Sequence, residues 1–335
     1  MKTSRRNILF IGGSLNQTSM MYQISLYFDD FNCYFTPYYS DGMLDFLAQN
    51  GVLDFTILAG DFKYQTEQFI MEHRLKIDYK GIKHEYDLVF TCQDLVIPKN
   101  IEKKKVILVQ EGMTDPENLM YYLVRNLSFP RWMAGTSATG LSNKYAMFFV
   151  ASEGYKELFI RKGVHPEKIF VTGIPNFDHA KQYTYNDFEF HDFVLAATSD
   201  RRETLNYENR KEFIQNTLKI ADGRQLIFKL HPNEWKERAV REIERYAPNA
   251  LIYQSGNINE MIANCSVLVT KYSSVVYIGI ALGKEVISDF DILWLKSMCP
   301  IQNEGKSAYY IANAVREQIL GETITGGNQI LTSLN

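Results

Sequence analysis

The chain has 335 residues, a formal net charge of −3 and 46% hydrophobic residues. The charge argues against a nucleic-acid-binding protein, which normally carries a strong basic excess, and the hydrophobic content predicts a large packed core instead of a disordered chain. No run approaches the roughly 18 apolar residues that span a bilayer. The 4 cysteines form no Cys-x-x-Cys pair, which is typical of a reduced, cytoplasmic protein.

The first predicted element is a buried strand at residues 7–11, and its apolar run is too short for a signal peptide. Gly12, Gly13 and Ser14 form a tight turn before a predicted helix at residues 16–28. This order opens many doubly wound domains, although the further glycines of a dinucleotide-binding fingerprint are absent. The turn is interpreted either as a bend that glycine permits or as the acceptor side of a substrate site.

Strand and helix patterns continue through the first half of the chain. Further strands are predicted at residues 31–37, 55–59, 87–91, 105–110, 145–151 and 168–172. The aromatic segment 118–135 contains Pro130, which forbids one long helix. We interpret this segment as a buried helix and loop, and a contact with a membrane surface is the alternative.

A polar and aromatic segment at 179–192 has no apolar period and predicts a boundary between domains. We therefore expect an N-terminal, acceptor-side domain at 1–178, a linker at 179–192, a C-terminal nucleotide-donor domain at 193–320 and a tail at 321–335. Strands alternate with helices on both sides of the linker. The predicted fold class is α/β, with two doubly wound, Rossmann-like domains facing each other across a cleft.

Two elements of the second half follow predicted buried strands. The strand LIFK leads to His231-Pro232, and the strand VLV precedes Ser273-Ser274. Ligands of parallel sheets bind beyond the carboxyl ends of the strands, and free N–H groups at a following helix can hold an anion. We therefore predict a site for the phosphate of a nucleotide. A histidine that bonds only backbone and a serine that only caps a helix are the alternatives.

Three more residues lie at predicted strand ends. Thr198 and Ser199 follow a strand at 193–197 and are predicted to contact the nucleotide as well. Glu111 follows the strand at 105–110, where a carboxylate suits a general base. A solvated acid in a turn is the alternative for Glu111. No Asp-x-Asp element lies directly on a predicted strand end, and no His-Glu-x-x-His motif or P-loop is present, so neither a metal ion nor a cofactor is predicted.

Three motifs, taken in order, resemble bacterial glycosyltransferases of the two-Rossmann-domain (GT-B) type: Glu111-Gly112, His231-Pro232 and Ser273-Ser274. The pattern looks most like the polysialyltransferases and Kdo transferases of capsule synthesis, which use CMP-activated sugars. Those families carry two acids before the glycine, whereas this chain has Gln110 before Glu111. Residues 150–178 and 263–287 are also similar to CDP-glycerol glycerophosphotransferases and UDP-GlcNAc 2-epimerases.

The resemblance implies a metal-independent glycosyltransferase of bacterial surface-polysaccharide synthesis, with a CMP-sugar as donor and a glycan or glycolipid as acceptor. In those families the corresponding histidine and serines contact the phosphate or leaving group, a role that the resemblance carries to His231, Ser273 and Ser274. Glu111 would deprotonate the acceptor if the reaction inverts the configuration. The implied location is the cytoplasm, with a peripheral contact at the inner face of the membrane as a further expectation.

Three other functions stay open. One is the transfer of glycerol phosphate from CDP-glycerol, which attacks phosphorus instead of an anomeric carbon. Another is a UDP-GlcNAc 2-epimerase, although the first loop, Gly12-Gly13-Ser14, lacks the Gly-Thr-Arg-Pro-Glu of those enzymes. The last is a non-catalytic nucleotide-sugar-binding protein, which the missing acid at Gln110 keeps open.

Overall fold

Short apolar runs form the strands of two parallel sheets, and helices cover the faces of both. The computed structural model describes residues 5–203 and 207–322. The chain divides into unit 1, made of Met1–Asp178 with Gly305–Asn335, and unit 2, made of His179–Glu304. Each unit carries one of the sheets. The prediction of two doubly wound α/β domains is therefore confirmed.

Unit 1 contains a sheet with the order β3-β2-β1-β4-β5-β6-β7, and all its pairs within the described residues are parallel. Its strands are β1 (Asn7–Gly12), β2 (Asn32–Pro37), β3 (Lys76–Ile77), β4 (Leu88–Thr91), β5 (Lys105–Val109), β6 (Met147–Val150) and β7 (Ile169–Val171). Its first helices are α1 (Leu15–Ser25), α2 (Gly42–Gln49), α3 (Gly60–Glu72), α4 (Leu119–Leu127) and α5 (Glu153–Lys162).

The centre of this sheet is a row of aromatic side chains. The ring of Phe10 in β1 stacks on Phe35 in β2 and on Phe90 in β4, with centroids 5.2 Å and 5.0 Å apart. Strands covered on both faces have no alternation of apolar and polar residues, because neither face meets water. This packing is the reason that β1 and β4 read as continuous apolar runs.

Unit 2 contains a sheet with the order β10-β9-β8-β11-β12, again parallel throughout the described residues. Its strands are β8 (Val194–Ala197), β9 (Leu226–Lys229), β10 (Leu251–Tyr253), β11 (Val267–Val269) and β12 (Glu285–Ile287). Its helices are α6 (Arg210–Ala221), α7 (Lys236–Tyr246), α8 (Ile258–Asn264), α9 (Val276–Ala281) and α10 (Ile292–Met298). Phe228, Ile214 and Ile243 are fully buried where α6 and α7 cover this sheet.

The last helix, α11 (Ser307–Val315), belongs to unit 1 and not to the second domain predicted at 193–320. It packs against α1, and the π-helical turn that follows it carries the buried Arg316. This guanidinium lies over the ring of Phe28, donates to the carbonyl of Tyr27 and pairs with Asp30. These contacts, made far along the chain, are what place residues 305–320 in the first unit.

The two points where the chain passes between the units are joined within unit 1. The backbone N–H of Ser307 donates to Oδ2 of Asp178 at 2.7 Å. The predicted linker at 179–192 is part of unit 2, because Nδ2 of Asn264 donates to Oδ1 of Asn186 at 2.7 Å. Of the predicted tail at 321–335, residues 323–335 lie outside the described residues.

The prediction of a strand at 55–59 is wrong. Leu53 to Ala59 is a series of turns in which the N–H of Thr56 donates to the carbonyl of Leu53 at 2.9 Å, and that of Ala59 to Thr56 at 3.3 Å. The next residue, Gly60, has φ of +58° and lies against the backbone of Asp54. Local hydrogen bonds therefore satisfy the backbone here without a neighbouring strand.

The segment 118–135 breaks where proline predicts it. Helix α4 ends at Leu127, and a 3-10 segment at Arg131–Ala138 begins directly after Pro130. Tyr121 is fully buried, whereas the side chain of Leu127 is exposed. No helix among the described residues has both the length and the apolar character required to cross a membrane.

Candidate functional site

The carboxyl ends of β1, β4 and β5 are neighbours in unit 1 and bring the first candidate residues together. Ser14, the N-cap of α1, donates from Oγ to Oε1 of Glu111 at 3.0 Å. Nε2 of Gln17 donates to Oε2 of the same carboxylate at 2.6 Å, and Nε2 of Gln93 lies 3.5 Å from it. Glu111 is thus held by three neutral donors, two at the start of α1 and one after β4, and is not a solvated acid in a turn.

The electrostatics of this carboxylate are set by burial. Loss of hydration raises the pKa of Glu111 above its ordinary value, and the hydrogen bonds from Gln17, Ser14 and Gln93 only partly oppose the rise. No lysine or arginine of the described chain forms an ion pair with it. The nearby Cys92 thiol also has a raised pKa, because it is buried and lies near the Glu111 charge.

The two glycines before Ser14 are required by close packing. A Cβ on Gly12 would lie 2.4 Å from Oγ1 of Thr18, and a Cβ on Gly13 would lie 2.4 Å from Oε1 of Gln17. Neither glycine has a positive φ, so a bend that only glycine can adopt is not the explanation. The missing side chains let the first turn of α1 come close enough for Gln17 to reach Glu111.

Gln110, which stands where a second acid was expected, has a structural role. The side chain of Gln110 is buried, accepts the N–H of Ala151 at 2.9 Å and donates to the carbonyl of Gly112 at 2.7 Å. Nδ2 of Asn176 also donates to the backbone carbonyl of Glu111 at 3.2 Å. Gln110 therefore fixes the loop that carries Glu111, and the carboxylate offered at this edge is that of Glu111.

In unit 2, β8 lies between β9 and β11, so their carboxyl ends form one edge. His231 follows β9, and Ser273 and Ser274 follow β11. The ends of β9 and β11 are about 10 Å apart at the usual spacing of neighbouring strands. Thr198 follows β8 and joins this edge to β9, because its Oγ1 accepts the N–H of His231 at 2.9 Å. The structure thus places the predicted phosphate-binding residues along a single edge.

The His231 side chain is about one third exposed (34%), and Pro232 is exposed as well. Nδ1 of His231 accepts the N–H of Asn233 at 3.3 Å and lies 3.6 Å from Oδ2 of Asp200. A ring nitrogen that accepts a hydrogen bond carries no proton, so the neutral ring has its N–H at Nε2. That N–H is the group that His231 can offer to an anion.

The serine pair precedes α9 but does not cap it through a side chain. The N-cap of α9 is Val275, without a capping hydrogen bond from its side chain. Oγ of Ser273 is 3.5 Å from the N–H of Val275, at the limit of a hydrogen bond, and the Ser274 hydroxyl has no partner within residues 5–203 and 207–322. Capping therefore does not account for either hydroxyl.

Sequence reasoning missed a buried carboxylate behind this edge. Glu234 lies three residues after His231, and its side chain is fully buried. It pairs with Arg210 at 2.6 Å and Arg202 at 3.4 Å, and Oγ1 of Thr198 donates to it at 2.6 Å. Because Thr198 also accepts the backbone N–H of His231, this network positions the histidine loop.

Ser199 is tied in the same way. Its Oγ donates to Oε2 of Glu208 at 2.6 Å, and Oε1 of Glu208 pairs with Arg210 at 2.6 Å. The hydroxyl protons of Thr198 and Ser199 thus point to carboxylates, and the nucleotide contact of these two residues stays a prediction. A glutamate after the His-Pro dipeptide was the visible signal for Glu234, but its arginine partners follow only from the packing of α6, which carries Arg210, and of the loop after β8, which carries Arg202.

Two further features bear on the ligand of this edge. The guanidinium of Arg201 lies 4.6 Å from the ring centroid of Tyr272, so the loops after β8 and β11 carry a cation and an aromatic ring together. Within the part of the chain that the structure describes, no group of three or more His, Cys, Asp or Glu side chains is arranged to hold a metal ion.

Comparison with known proteins identifies the fold. No protein-family model matches the chain, and no curated protein matches it. The UDP-GlcNAc 2-epimerase from Neisseria meningitidis bound to UDP-GlcNAc is 12% identical with a TM-score of 0.57, over 93% of this chain and 100% of that chain. The UDP-GlcNAc 2-epimerase from Methanocaldococcus jannaschii, in complex with UDP-GlcNAc and UDP, is 16% identical with a TM-score of 0.54, over 94% and 100%.

A variant of the wall teichoic acid polymerase TagF is 11% identical with a TM-score of 0.55, over 95% of this chain and 89% of that chain. At such low identity these structures establish architecture alone. The predicted fold, two Rossmann-like domains of the GT-B type, is confirmed.

The raised pKa of Glu111 predicts how its charge affects stability. Between the pKa of the unfolded chain, about 4.3, and the higher folded value, the folded state keeps a proton that the unfolded state has lost. Stability therefore falls as the pH rises through this window. Glu111→Gln, which removes the charge, should raise the melting temperature at pH 7, and the gain should vanish near pH 4. The control is Glu72→Gln, at an exposed position of α3. A Glu111→Gln variant that melts below the wild type at pH 7 would contradict this electrostatic account.

The Glu234 network predicts a large loss of stability when its central carboxylate is removed. Glu234→Gln leaves the buried Arg210 and Arg202 with one carboxylate fewer, and breaking a buried ion pair costs about 3–5 kcal/mol. We expect Glu234→Gln to lower the free energy of unfolding in urea by about 3 kcal/mol, the lower end of this range, because each arginine retains another carboxylate. Glu244→Gln, on the exposed side of α7, should stay within about 0.5 kcal/mol. Equal effects of the two substitutions would refute the network's role.

Proposed function

We propose that this chain is a metal-independent glycosyltransferase of bacterial surface-polysaccharide synthesis whose donor is a nucleotide-activated, CMP-linked sugar. The observation that carries the proposal is the Glu111 carboxylate at the end of β5, held by neutral donors and without a cation. A partly buried carboxylate of raised pKa is a stronger base than an exposed one. The likeness of the fold to structures bound to UDP-GlcNAc and UDP supports a nucleotide ligand.

In this proposal Glu111 acts on the acceptor. Its carboxylate takes the proton of an acceptor hydroxyl while that oxygen forms a bond to the anomeric carbon of the donor. The bond from the anomeric carbon to the phosphate oxygen breaks, and its electron pair leaves with the nucleotide. Ser14 and Gln17 orient the carboxylate through their hydrogen bonds, so that a lone pair of Glu111 remains for the incoming hydroxyl.

Unit 2 contributes the groups that receive the departing phosphate. The Nε2–H of His231 and the hydroxyls of Ser273 and Ser274 are donors along one edge of its sheet. Hydrogen bonds to a charged oxygen are stronger than those to a neutral one, so they favour the leaving nucleotide more than the bound donor. Glu234 and Thr198 have the role of positioning residues behind His231.

Transfer of glycerol phosphate from CDP-glycerol is a second candidate, favoured by the likeness to the wall teichoic acid polymerase. It uses the same base and the same phosphate contacts, with attack at phosphorus. Epimerisation is a third candidate, favoured by the likeness to the UDP-GlcNAc 2-epimerases. Inverting a carbon centre by removing and returning a proton on opposite faces requires two acid–base groups, and Glu111 alone suits transfer better. A non-catalytic nucleotide-sugar-binding protein would show no turnover with any donor.

We also propose a glycan or glycolipid as acceptor and a cytoplasmic location, in keeping with the free thiols of Cys33, Cys92, Cys265 and Cys299. A peripheral contact with the inner face of the membrane belongs to the same proposal. It is supported by the exposed apolar side chains of Leu119, Leu127 and Trp132 in and after α4.

The two sets of residues should separate binding from chemistry. His231→Ala should weaken nucleotide binding by about 1.5–3 kcal/mol, the value of a hydrogen bond to a charged group, and Ser273→Ala and Ser274→Ala should act in the same direction. Glu111→Gln should retain nucleotide affinity and lower turnover by about 10²–10⁴-fold. Thermal shifts with CMP, CDP, UDP, UMP and GDP measure binding, since a ligand at 100 times its Kd stabilises by about 2.7 kcal/mol. Loss of nucleotide binding in Glu111→Gln would overturn this assignment of roles.

The proposed chemistry takes place without a divalent cation. Turnover should therefore persist in excess EDTA, because hydrogen-bond donors and not a metal stabilise the leaving phosphate. The measurement is product formation before and after dialysis against EDTA, with added Mg²⁺ or Mn²⁺ as the comparison. Activity that disappears in EDTA and returns with either ion would refute this prediction.

A further inference from the structure

A cavity of about 210 Å³ lies in unit 1 beyond the carboxyl end of β2, between α2 and the beginning of α3. Its lining comes from four segments of the chain. They are the residues after β2, with Tyr38 and Tyr39, helix α2, with Asp45 and Gln49, the turn before α3 and its first residues, with Leu58 and Lys63, and the residues before β4, with Tyr79 and Lys80. None of these residues contacts Glu111, and the proposed reaction leaves them without a role.

One side of the cavity is aromatic and rigid. The hydroxyl of Tyr38 donates to the carbonyl of Val96 at 2.8 Å and accepts its N–H at 3.1 Å. The hydroxyl of Tyr39 donates to Oδ1 of Asn100 at 3.1 Å. Both rings are buried and held in place by these bonds. Tyr79, by contrast, is 47% exposed at the rim and adds a ring that a ligand can cover.

The other side is polar and organised around Asp45. Nζ of Lys80 lies 2.9 Å and 2.7 Å from its two carboxylate oxygens, and Nε2 of Gln49 donates to Oδ2 at 2.9 Å. The amide oxygen of Gln49 makes no hydrogen bond within the described ranges. The group thus combines a carboxylate, an amide and an ammonium whose charges largely cancel.

This lining matches the chemistry of a sugar ring. A pyranose presents C–H groups on its faces, which pack on aromatic rings, and hydroxyls around its edge, which both donate and accept hydrogen bonds. A mainly apolar pocket with a few fixed polar groups is the usual form of a small-molecule site. Asp45 neutralises Lys80, whereas Lys63, which also lines the cavity, has no ion pair within the described residues, so a saccharide that carries a carboxylate fits the lining as well as a neutral one.

The cavity lies next to the loop after β1, which contains Gly13 and the Ser14 that donates a hydrogen bond to the proposed base. The N–H of Tyr38 donates to the carbonyl of Gly12 at 2.6 Å, and Pro37 is paired with Gly12 in the sheet. The wall at Leu58 and Ala59 continues into Ile57, whose Cδ1 would be 3.0 Å from a Cβ on Gly13. The ends of β2 and β5 are three strand spacings apart, about 14 Å, and the Glu111 side chain reaches back to Ser14 at the end of β1. A saccharide of more than one ring can therefore span the distance from the cavity to Glu111.

We propose that this cavity is the subsite that binds a sugar ring of the acceptor, so that the acceptor is a saccharide recognised at least one ring away from its reacting hydroxyl. That the bound saccharide is the acceptor rests on the proposed function. The binding of a saccharide by Tyr79 and Gln49 can be tested independently of it.

The experiment is saturation-transfer NMR on the full chain with a panel of methyl glycosides, neutral (glucoside, galactoside) and carboxylated (glucuronide, N-acetylneuraminide). At least one glycoside should receive saturation from the wild type, and the signal should be lost in Tyr79→Ala and in Gln49→Ala. Both positions are exposed, so the substitutions leave the core intact. The matched control is Tyr64→Ala, which removes an exposed tyrosine of α3 outside the cavity and should retain the signal.

Two results would overturn the proposal: no glycoside of the panel binds the wild type, or Tyr79→Ala and Gln49→Ala bind it as the wild type does. Thermal shifts with the nucleotide panel on the same variants distinguish the two hypotheses. If glycoside binding depends on Tyr79 but no nucleotide changes the melting temperature, the saccharide site is supported and the proposed glycosyltransferase function is refuted. Where turnover is measurable, each cavity variant should raise the KM for the acceptor about tenfold, the equivalent of about 1.4 kcal/mol, with the KM for the donor unchanged.

Discussion

Parallel pairing of the strands is the constraint on which both candidate sites depend. Every strand pair within the described residues is parallel, so each sheet has one edge where all of its strands end. Ser14, Gln93 and Glu111 are separated by many residues of chain, yet they follow neighbouring strands and therefore meet. In unit 2 the same rule aligns His231, Thr198 and Ser273. An antiparallel strand in either sheet would have sent one of these groups to the opposite edge.

The surroundings of the two carboxylates at these edges, the partly buried Glu111 and the buried Glu234, differ. Glu234 meets two guanidiniums, whose charges compensate its own and make it a fixed part of the structure. Glu111 meets only neutral donors, and its burial is incompletely compensated. A cation beside Glu111 would stabilise the anion and weaken it as a base. The fold thus accepts a less stable arrangement at Glu111, which is typical of residues that take part in chemistry.

Much of this could be predicted from the sequence, because the strands of a parallel sheet read as apolar runs and ligands gather at their ends. The positions of Glu111, His231 and the serine pair at strand ends were predicted in that way, and their roles stay predictions. The partners of Glu111 could not be found, since Gln17 and Gln93 resemble ordinary polar residues until α1 and β4 are placed beside β5. The segment 55–59 is apolar without being a strand, because Ile57 lies against the loop at Gly13 and Phe55 is exposed.

The hydrogen bond between Asp178 and Ser307 has a consequence for the order in which the protein folds during synthesis. Unit 2 occupies one uninterrupted stretch, His179–Glu304, so all of it is synthesised before α11. Until then the surface of unit 1 around Tyr27 and Phe28 lacks the helix and the arginine that cover it. The first unit therefore keeps this apolar surface uncovered until α11 and Arg316 have been synthesised.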